Sequence, residues 1–335
     1  MNLEAFLAEW HNESPTVLVH TSGSTGEPKA MWVEKRRMEA SARMTCDFLG
    51  LREGDTALLC MSLDYIAGKM MVVRSLVRGL QLITVEPSGE PLKGLFRPLL
   101  TSPNLGEEIS LDFAAMVPLQ VWNTLRVPQQ RERLMQIRHL IIGGGAIDEG
   151  LARVLAGFPN QVWSTYGMTE TLSHIALRRL SGPEATEWYT PMAGVSLSLT
   201  ADGCLVVDAP AVHDGPLVTN DIAEIAPDGR FKILGRKDNV ICSGGLKIQA
   251  EEVEKSLRAH LHESYMITKR RDEKFGEAVV LLTEGDTAEA RDVCQRVLPR
   301  YWQPRDYVHT DRIPLTETGK PARKQAEQLV QKPSR

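Results

Sequence analysis

The sequence predicts an α/β protein: a large layered domain ending in a small β-barrel or sheet, followed by a small α+β domain. Three features point there. Between residue 16 and about residue 165, apolar strand-like runs alternate with amphipathic helical stretches, the pattern of α/β layering. From Gly194 to Leu234 the texture shifts to short β runs separated by Asp202-Gly203, Asp214-Gly215 and Asp228-Gly229, dipeptides that favour tight turns. Beyond Arg236 the helix and strand alternation returns, so residues 1–236 and 237–335 are expected to form separate domains.

Taken in order, Thr16 to Val19 is a strand entering a loop rich in hydroxyls and glycine. Met38, Ala42, Thr45 and Leu49 then share one helical face. Thr56 to Met61 reads as a strand, Ile66 to Leu80 as a helix, and Gln81 to Val85 as a strand stopped by Pro87. Pro87 to Pro103, with four prolines and two glycines, is expected to be irregular. A helix near Arg131 to Gln136 precedes the strand His139 to Ile142, the helix Ile147 to Leu155 and the strand Gln161 to Ser164. In the second domain Gln249 to His260 and Ala288 to Val297 read as helices, with Ser264 to Thr268 and Ala278 to Leu282 as strands.

Composition narrows the function classes. The chain has 335 residues, 42% hydrophobic and 24% charged, enough for two globular domains. A net charge of −4 gives no basic footprint for nucleic acid. No apolar run reaches membrane-spanning length, and Met1 to Phe6 lacks the basic start of a secretory signal, so a cytoplasmic location is expected. The five cysteines are scattered without CxxC pairs and read as reduced residues, mostly in the core.

The chemistry is concentrated in a few loops. Thr21, Ser22, Gly23, Ser24, Thr25, Gly26 and Lys29 combine hydroxyls, pliable backbone and a cation directly after a strand, as a cradle for polyphosphate requires. A Walker A loop would need Gly before the lysine and Ser or Thr after it; Pro28 and Ala30 stand there instead. Gly143, Gly144 and Gly145 follow a strand but lack the third dinucleotide-fingerprint glycine, replaced by Asp148, and suit a tight turn against a flat ring. Tyr166 to Thr171 sets an aromatic ring, a hydroxyl and a carboxylate after a strand: Tyr166 to stack on a base, Thr169 to meet a phosphate, Glu170 to bind Mg²⁺. Asp221 could cap a turn or hold a sugar diol. Gly235 to Asn239 could be a surface turn or an interdomain hinge. Ser243, Gly244, Gly245 and Lys247 lead into a helix, and Lys320 ends the loop begun at Pro314.

The order of these segments resembles that of the adenylate-forming superfamily, from about Thr16 to Lys324. The resemblance implies an AMP-forming acid:CoA ligase that uses ATP, Mg²⁺ and coenzyme A: carboxylate and ATP give acyl-AMP and pyrophosphate, then acyl-AMP and CoA give acyl-CoA and AMP. Thr21 to Lys29 would hold the β- and γ-phosphates and Glu170 the Mg²⁺. Gly143 to Gly145 with Tyr166 would line the adenine and acyl site, and Asp221 with Arg236 would hold the ribose. Lys320 would stabilise charge at the α-phosphate, with Thr169 and Glu170 as its catalytic companions. Asp238 would be the hinge, and Ser243, Gly244, Gly245 and Lys247 would receive the pantetheine of CoA.

Some residues depart from the family pattern: Ala30-Met31 stands where Gly is common, and Asn220 where Gly precedes the ribose aspartate. Typical relatives also carry a long additional stretch before the phosphate loop. A shortened large domain is therefore expected either to leave apolar surface for a homodimer partner or simply to form a smaller lobe. Residues 168–176, Met-Thr-Glu-Thr-Leu-Ser-His-Ile-Ala, are similar to the o-succinylbenzoate:CoA ligase branch of menaquinone biosynthesis. Such a substrate carries a second carboxylate, for which Lys69, Ser173 and His174 are the candidate partners. The competing expectations are a ligase for another aryl or short acyl acid, and a non-catalytic nucleotide- or carrier-binding module. Retention of Lys320, Glu170 and Gly244-Gly245 together argues against the module.

Overall fold

A computed structural model describes residues 1–20, 30–96, 110–145, 147, 149–315 and 321–331. The chain divides into two compact units: Met1–Leu197 with Val207–Leu217 and Ala226–Phe231, and Ser198–Val206 with Val218–Ile225 and Lys232–Arg335.

The first unit opens with helix α1 (Leu3–His11), whose Asn2 side chain caps the amide of Ala5 at 2.8 Å. Strands β1 (Thr16–His20) and β2 (Ala30–Glu34) form an antiparallel pair, and α2 (Lys35–Leu49) follows. Then come β3 (Thr56–Leu59), α3 (Ile66–Arg78), β4 (Gln81–Thr84), β5 (Phe113–Met116), α4 (Pro118–Leu125), α5 (Pro128–Gln136), β6 (His139–Ile142), α6 (Glu149–Ala156), β7 (Gln161–Gly167), β8 (His174–Arg179) and β9 (Thr190–Pro191). Gly50 and Gly79, at φ 65° and 67°, end α2 and α3 in the left-handed conformation that glycine adopts without strain.

Strands β3 to β9 build one sheet in the order β4-β3-β5-β6-β7-β8-β9, parallel from β4 to β7 and antiparallel beyond. Every residue of β5 and β6 is buried, which explains their unbroken apolar character. Their side chains join Leu58, Val121, Leu134, Leu155 and Val162 in the main core. The order runs outward from β3 in both directions, so the switch point lies between β3 and β5, where open α/β sheets bind ligands at the strands' carboxyl ends.

A four-stranded sheet, β10 (Ser196–Leu199), β11 (Cys204–Asp208), β12 (Leu217–Ile225) and β13 (Phe231–Arg236), contributes residues to each unit. In the second unit, β14 (Val240–Ser243), β15 (Leu246–Gln249), β16 (Tyr265–Asp272), β17 (Gly276–Thr283) and β18 (Asp306–His309) form a sheet flanked by α7 (Ala250–Leu257), α8 (Thr287–Val297) and α9 (Arg323–Val330). Alternation along its strands separates two cores. Ile267, Val279 and Leu281 pack with Val253, Leu257 and Val293, whereas Met266, Val280 and Leu282 pack with Ala326 and Val330.

The sequence leaves α1, β5 and α4 unassigned. Phe-Ala-Ala-Met is too short for periodicity to tell strand from helix. Among the described residues, no helix is long and apolar enough to cross a membrane.

At the amino end of β6, His139 is buried beside Arg138, which pairs with Asp55 and with Asp112 at 3.4 Å. Burial first, then Arg138 and Arg179, push its pKa from 6.5 to about 4. Above 6.5 the imidazole is neutral whether folded or unfolded. Between about 6.5 and about 4 only the unfolded chain takes up the proton, so stability falls as pH falls through that window. A His139→Gln variant should lose this component, giving a shallower decline of the urea midpoint from neutral pH to about pH 4.5 than the parent shows; parallel curves would refute it.

Candidate active site

Residues Thr21, Ser22, Gly23, Ser24, Thr25, Gly26 and Lys29 lie outside the described residues. The strands on either side are described, and they close on each other: β1 and β2 pair in register from Thr16↔Glu34 to His20↔Ala30. Residues 21–29 thus connect two paired strand ends.

Gly143 leaves β6 with its amide bonded to the Met116 carbonyl of β5 at 3.1 Å. A Cβ there would sit 2.3 Å from Thr165 Oγ1 of β7, so any larger residue forces the Thr165 side chain or the backbone beside it to shift. Gly144 takes φ 79°, and a Cβ on Gly145 would meet the ring of Pro118 at 3.5 Å. These three glycines therefore line the carboxyl ends of β5 to β7. Tyr166 on β7 meets Phe231 edge to face at 5.1 Å and Tyr189 at 5.9 Å, while Tyr189 bonds Ser164 Oγ at 3.0 Å. The aromatic ring expected for the base is thus held by two others, Tyr189 and Phe231.

The turn from β7 to β8 is built around buried Thr171, whose hydroxyl accepts from the Met168 amide at 3.1 Å and reaches the Ser173 carbonyl at 2.8 Å. Leu172 is forced to φ 65°, a conformation that costs a side-chain-bearing residue free energy. A Cβ at Gly167 would lie 2.2 Å from the Ser173 carbonyl oxygen. The result is a compact tip carrying half-buried Thr169 and exposed Glu170. Among the described residues no hydrogen bond or ion pair occupies the Glu170 carboxylate, and no cluster of three His, Cys, Asp or Glu could hold a metal. A single free carboxylate fits Mg²⁺, which binds through one or two carboxylates plus substrate phosphates.

Past this tip, Ser173 and His174 join a buried polar network that the sequence did not reveal. Arg74 of α3 donates to Ser173 Oγ at 2.7 Å, Ser173 Oγ meets His174 Nδ1 at 3.2 Å, and His174 Nε2 meets Thr45 Oγ1 of α2 at 3.1 Å. Arg74 is 2% exposed, and among the described residues its Nε has no hydrogen-bond partner and no carboxylate pairs with it. Burial pushes its pKa down to about 10. Burial, then the Arg74 charge, hold His174 well below its ordinary value, so it is neutral. With only neutral partners among the described residues, the desolvation cost of this guanidinium is not offset by a counter-ion there. The only sequence clue was an arginine inside the apolar run Met70 to Ser75.

Lys69 is placed elsewhere. It is buried beside β1, with its amine on the Leu18 carbonyl, 3.8 Å from Glu9 and over the Phe6 ring.

In the second unit Arg236 bonds Asp221 at 3.1 Å and Asp238 at 3.2 Å, and Asn220 donates to the same Asp238 oxygen at 3.3 Å. The expected ribose pair is therefore adjacent, with the expected hinge residue joined to it. Gly244 and Gly245, at φ 59° and 85°, make the two-residue turn between β14 and β15, where both positions must be left-handed. The Gly244 amide bonds the Phe275 carbonyl at 2.9 Å, and Ser243 is buried while Lys247 is exposed. Lys320 lies outside the described residues. Its flanks are tied together by the Leu315↔Pro321 bridge and the bond from Ala322 N to Pro314 O at 2.9 Å. Arg323 then anchors α9 on both oxygens of Glu254, at 2.9 and 2.8 Å, and on the Ile267 carbonyl.

A parallel sheet with a switch point, glycine and acidic turns at its carboxyl ends, and a small α+β unit after it have the layout of an adenylate-forming enzyme. The chain belongs to the AMP-binding enzyme family, whose model matches residues 4–215. It is 24% identical to the 2-succinylbenzoate–CoA ligase of Bacillus mycoides (strain KBAB4) over 98% of this chain and 73% of that one. Among solved structures it is similar to an acyl-CoA synthetase (AMP-forming)/AMP-acid ligase II-like protein from Dyadobacter fermentans DSM 18053. That likeness has a TM-score of 0.64 and 30% identity, covering 96% and 92% of the two chains. The o-succinylbenzoate CoA synthetase of Bacillus subtilis, solved with the acyl-adenylate OSB-AMP, shares the fold at a TM-score of 0.75 and 23% identity over 95% of this chain and 69% of that one.

Proposed function

We propose that this chain is an ATP-dependent acid:CoA ligase whose acid is 2-succinylbenzoate. The observation that supports this substrate most is Arg74: a buried cation without a counter-ion among the described residues, bonded to Ser173, three residues beyond Glu170. An aromatic dicarboxylate would be activated at one carboxylate while the other neutralises Arg74, with Ser173 as a second donor.

In the first half-reaction the carboxylate oxygen attacks the α-phosphorus of ATP and pyrophosphate leaves; in the second the CoA sulfur attacks the acyl carbon and AMP leaves. Thr21 to Lys29 bind the β- and γ-phosphates, Gly143 to Gly145 and Tyr166 the adenine, and Asp221 with Arg236 the ribose hydroxyls. Glu170 would hold Mg²⁺, which when bound would neutralise phosphate charge, and Thr169 would contact phosphate. Lys320 stabilises charge growing at the α-phosphate. Residues 237–335 act as the mobile domain, with Asp238 as hinge and Ser243 to Lys247 receiving pantetheine, so that each half-reaction uses a different face. The five free cysteines and the lack of a membrane-spanning helix among the described residues accord with a cytoplasmic enzyme.

The test is a panel of acids assayed for CoA- and ATP-dependent AMP formation. 2-Succinylbenzoate should exceed benzoate, phenylacetate and short acyl acids in kcat/KM by about 10²-fold or more. A monocarboxylate that outperforms it would remove the substrate assignment.

A further inference from the structure

Among the described residues, strand β1 has a partner strand on one side only. The bond from Lys35 N to Pro15 O at 2.9 Å sets the alternation of the β1–β2 ladder, so the odd-numbered residues of β1 bond to β2. The N–H and C=O groups of Thr16 and Leu18 consequently face away from it. Such a free edge is ordinarily left to water or to another strand. Here side chains take its place. Ser14 Oγ accepts from Thr16 N at 3.2 Å and donates to Thr16 O at 3.0 Å. Glu9 of α1 accepts from Leu18 N at 3.2 Å, and Lys69 of α3 donates to Leu18 O. Glu9 and Lys69 are themselves 3.8 Å apart, with side chains 22% and 3% exposed.

We propose that Glu9 and Lys69 are positioning residues for ATP: together they seal the open edge of β1 and fix the strand that delivers the phosphate loop. Polarity makes the arrangement specific. An amide needs an acceptor and a carbonyl needs a donor, so one acid and one base, from α1 and α3, complete the edge as a neighbouring strand would. Lys69 has its directional bond on Leu18 and its nearest negative charge in Glu9, so its cation is committed to the strand rather than to a substrate carboxylate. The inference rests on the assignment of residues 21–29 to the triphosphate.

The experiment compares K69M, K69R and E9A with the parent enzyme and with K29A. In K69M and E9A, KM for ATP should rise about tenfold or more, as misplacement of a binding loop does. KM for 2-succinylbenzoate should stay within about twofold, and so should the preference for that acid over benzoate. K69R, which keeps the donor, should recover most of the ATP affinity. Amide hydrogen exchange over residues 16–20 should speed up in K69M and E9A. The proposal is overturned if K69M leaves exchange at residues 16–20 unchanged, or leaves KM for ATP unchanged while K29A raises it. It is overturned equally if K69M selectively raises KM for the acid and erases the dicarboxylate preference. If K29A itself leaves KM for ATP unchanged, the phosphate-loop assignment fails, and exchange at residues 16–20 alone then decides whether the edge seal exists.

Discussion

An Arg74→Leu variant is expected to lose about 10²-fold or more in kcat/KM for 2-succinylbenzoate and to gain, or at least keep, thermal stability. Both halves follow from the same geometry. Arg74 is buried with neutral neighbours only, so the folded protein bears the cost of desolvating a cation that no carboxylate among the described residues offsets. Replacing it with an apolar side chain relieves that cost, while Ser173 keeps its contact with His174 at 3.2 Å. In the substrate complex the balance reverses. Removing one member of a buried, hydrogen-bonded charge pair costs about 2–5 kcal/mol, which at about 1.4 kcal/mol per decade exceeds tenfold and reaches 10³-fold. Benzoate, having no second carboxylate, should lose far less. Steady-state kinetics on the two acids, with a thermal melt of each protein, gives the answer. A variant that melts much earlier and loses both acids equally would mark Arg74 as part of the scaffold.

Lys320→Ala is expected to separate the two half-reactions. Carboxylate-dependent pyrophosphate release should fall by about 10²–10³-fold, the usual loss when one preorganised donor to developing charge is removed. Thioester formation from supplied acyl-adenylate and CoA should stay close to that of the parent, because in the proposed two-face cycle the mobile domain has withdrawn Lys320 from the α-phosphate before the sulfur attacks. Arg323 anchors the adjoining helix on both Glu254 oxygens, at 2.9 and 2.8 Å, contacts that the substitution leaves in place. Pyrophosphate release and single-turnover thioesterification measured side by side decide it; equal loss of both steps would contradict separate faces for the two reactions.

Much of the architecture is legible in the chain because its signals are local. Gly244-Gly245 forms the tight turn between β14 and β15, and Asp202-Gly203 separates β10 from β11, since few residues other than glycine accept these dihedral angles. The continuous apolar runs of β3 and β6 reflect strands covered on both faces. The site is legible only in part. Asp221 and Arg236 are neighbours across one hydrogen-bonded pair of strands, so the motif order brings them together. The destinations of Lys69 and Arg74 could not be read, because both lie on one helix five positions apart and only tertiary packing distinguishes them. Lys69 meets Glu9 and Leu18, fifty-one residues before it, whereas Arg74 meets Ser173, ninety-nine residues after it. No helical period encodes which of two buried cations already has a partner.

The crowding at Gly167 has a consequence for reshaping this enzyme. With only 2.2 Å between a Cβ there and the Ser173 carbonyl, and with Leu172 held left-handed, the segment from Tyr166 to His174 behaves as one rigid bracket. Its exposed end bears the carboxylate proposed for the metal and its inner end the hydroxyl proposed for the acid, so altering Ser173 or His174 to admit new acids is expected also to disturb Glu170. Engineering for other acids should begin at Thr45 and Arg74, which lie on separate helices and meet the segment through side-chain hydrogen bonds to His174 at 3.1 Å and Ser173 at 2.7 Å rather than through its backbone.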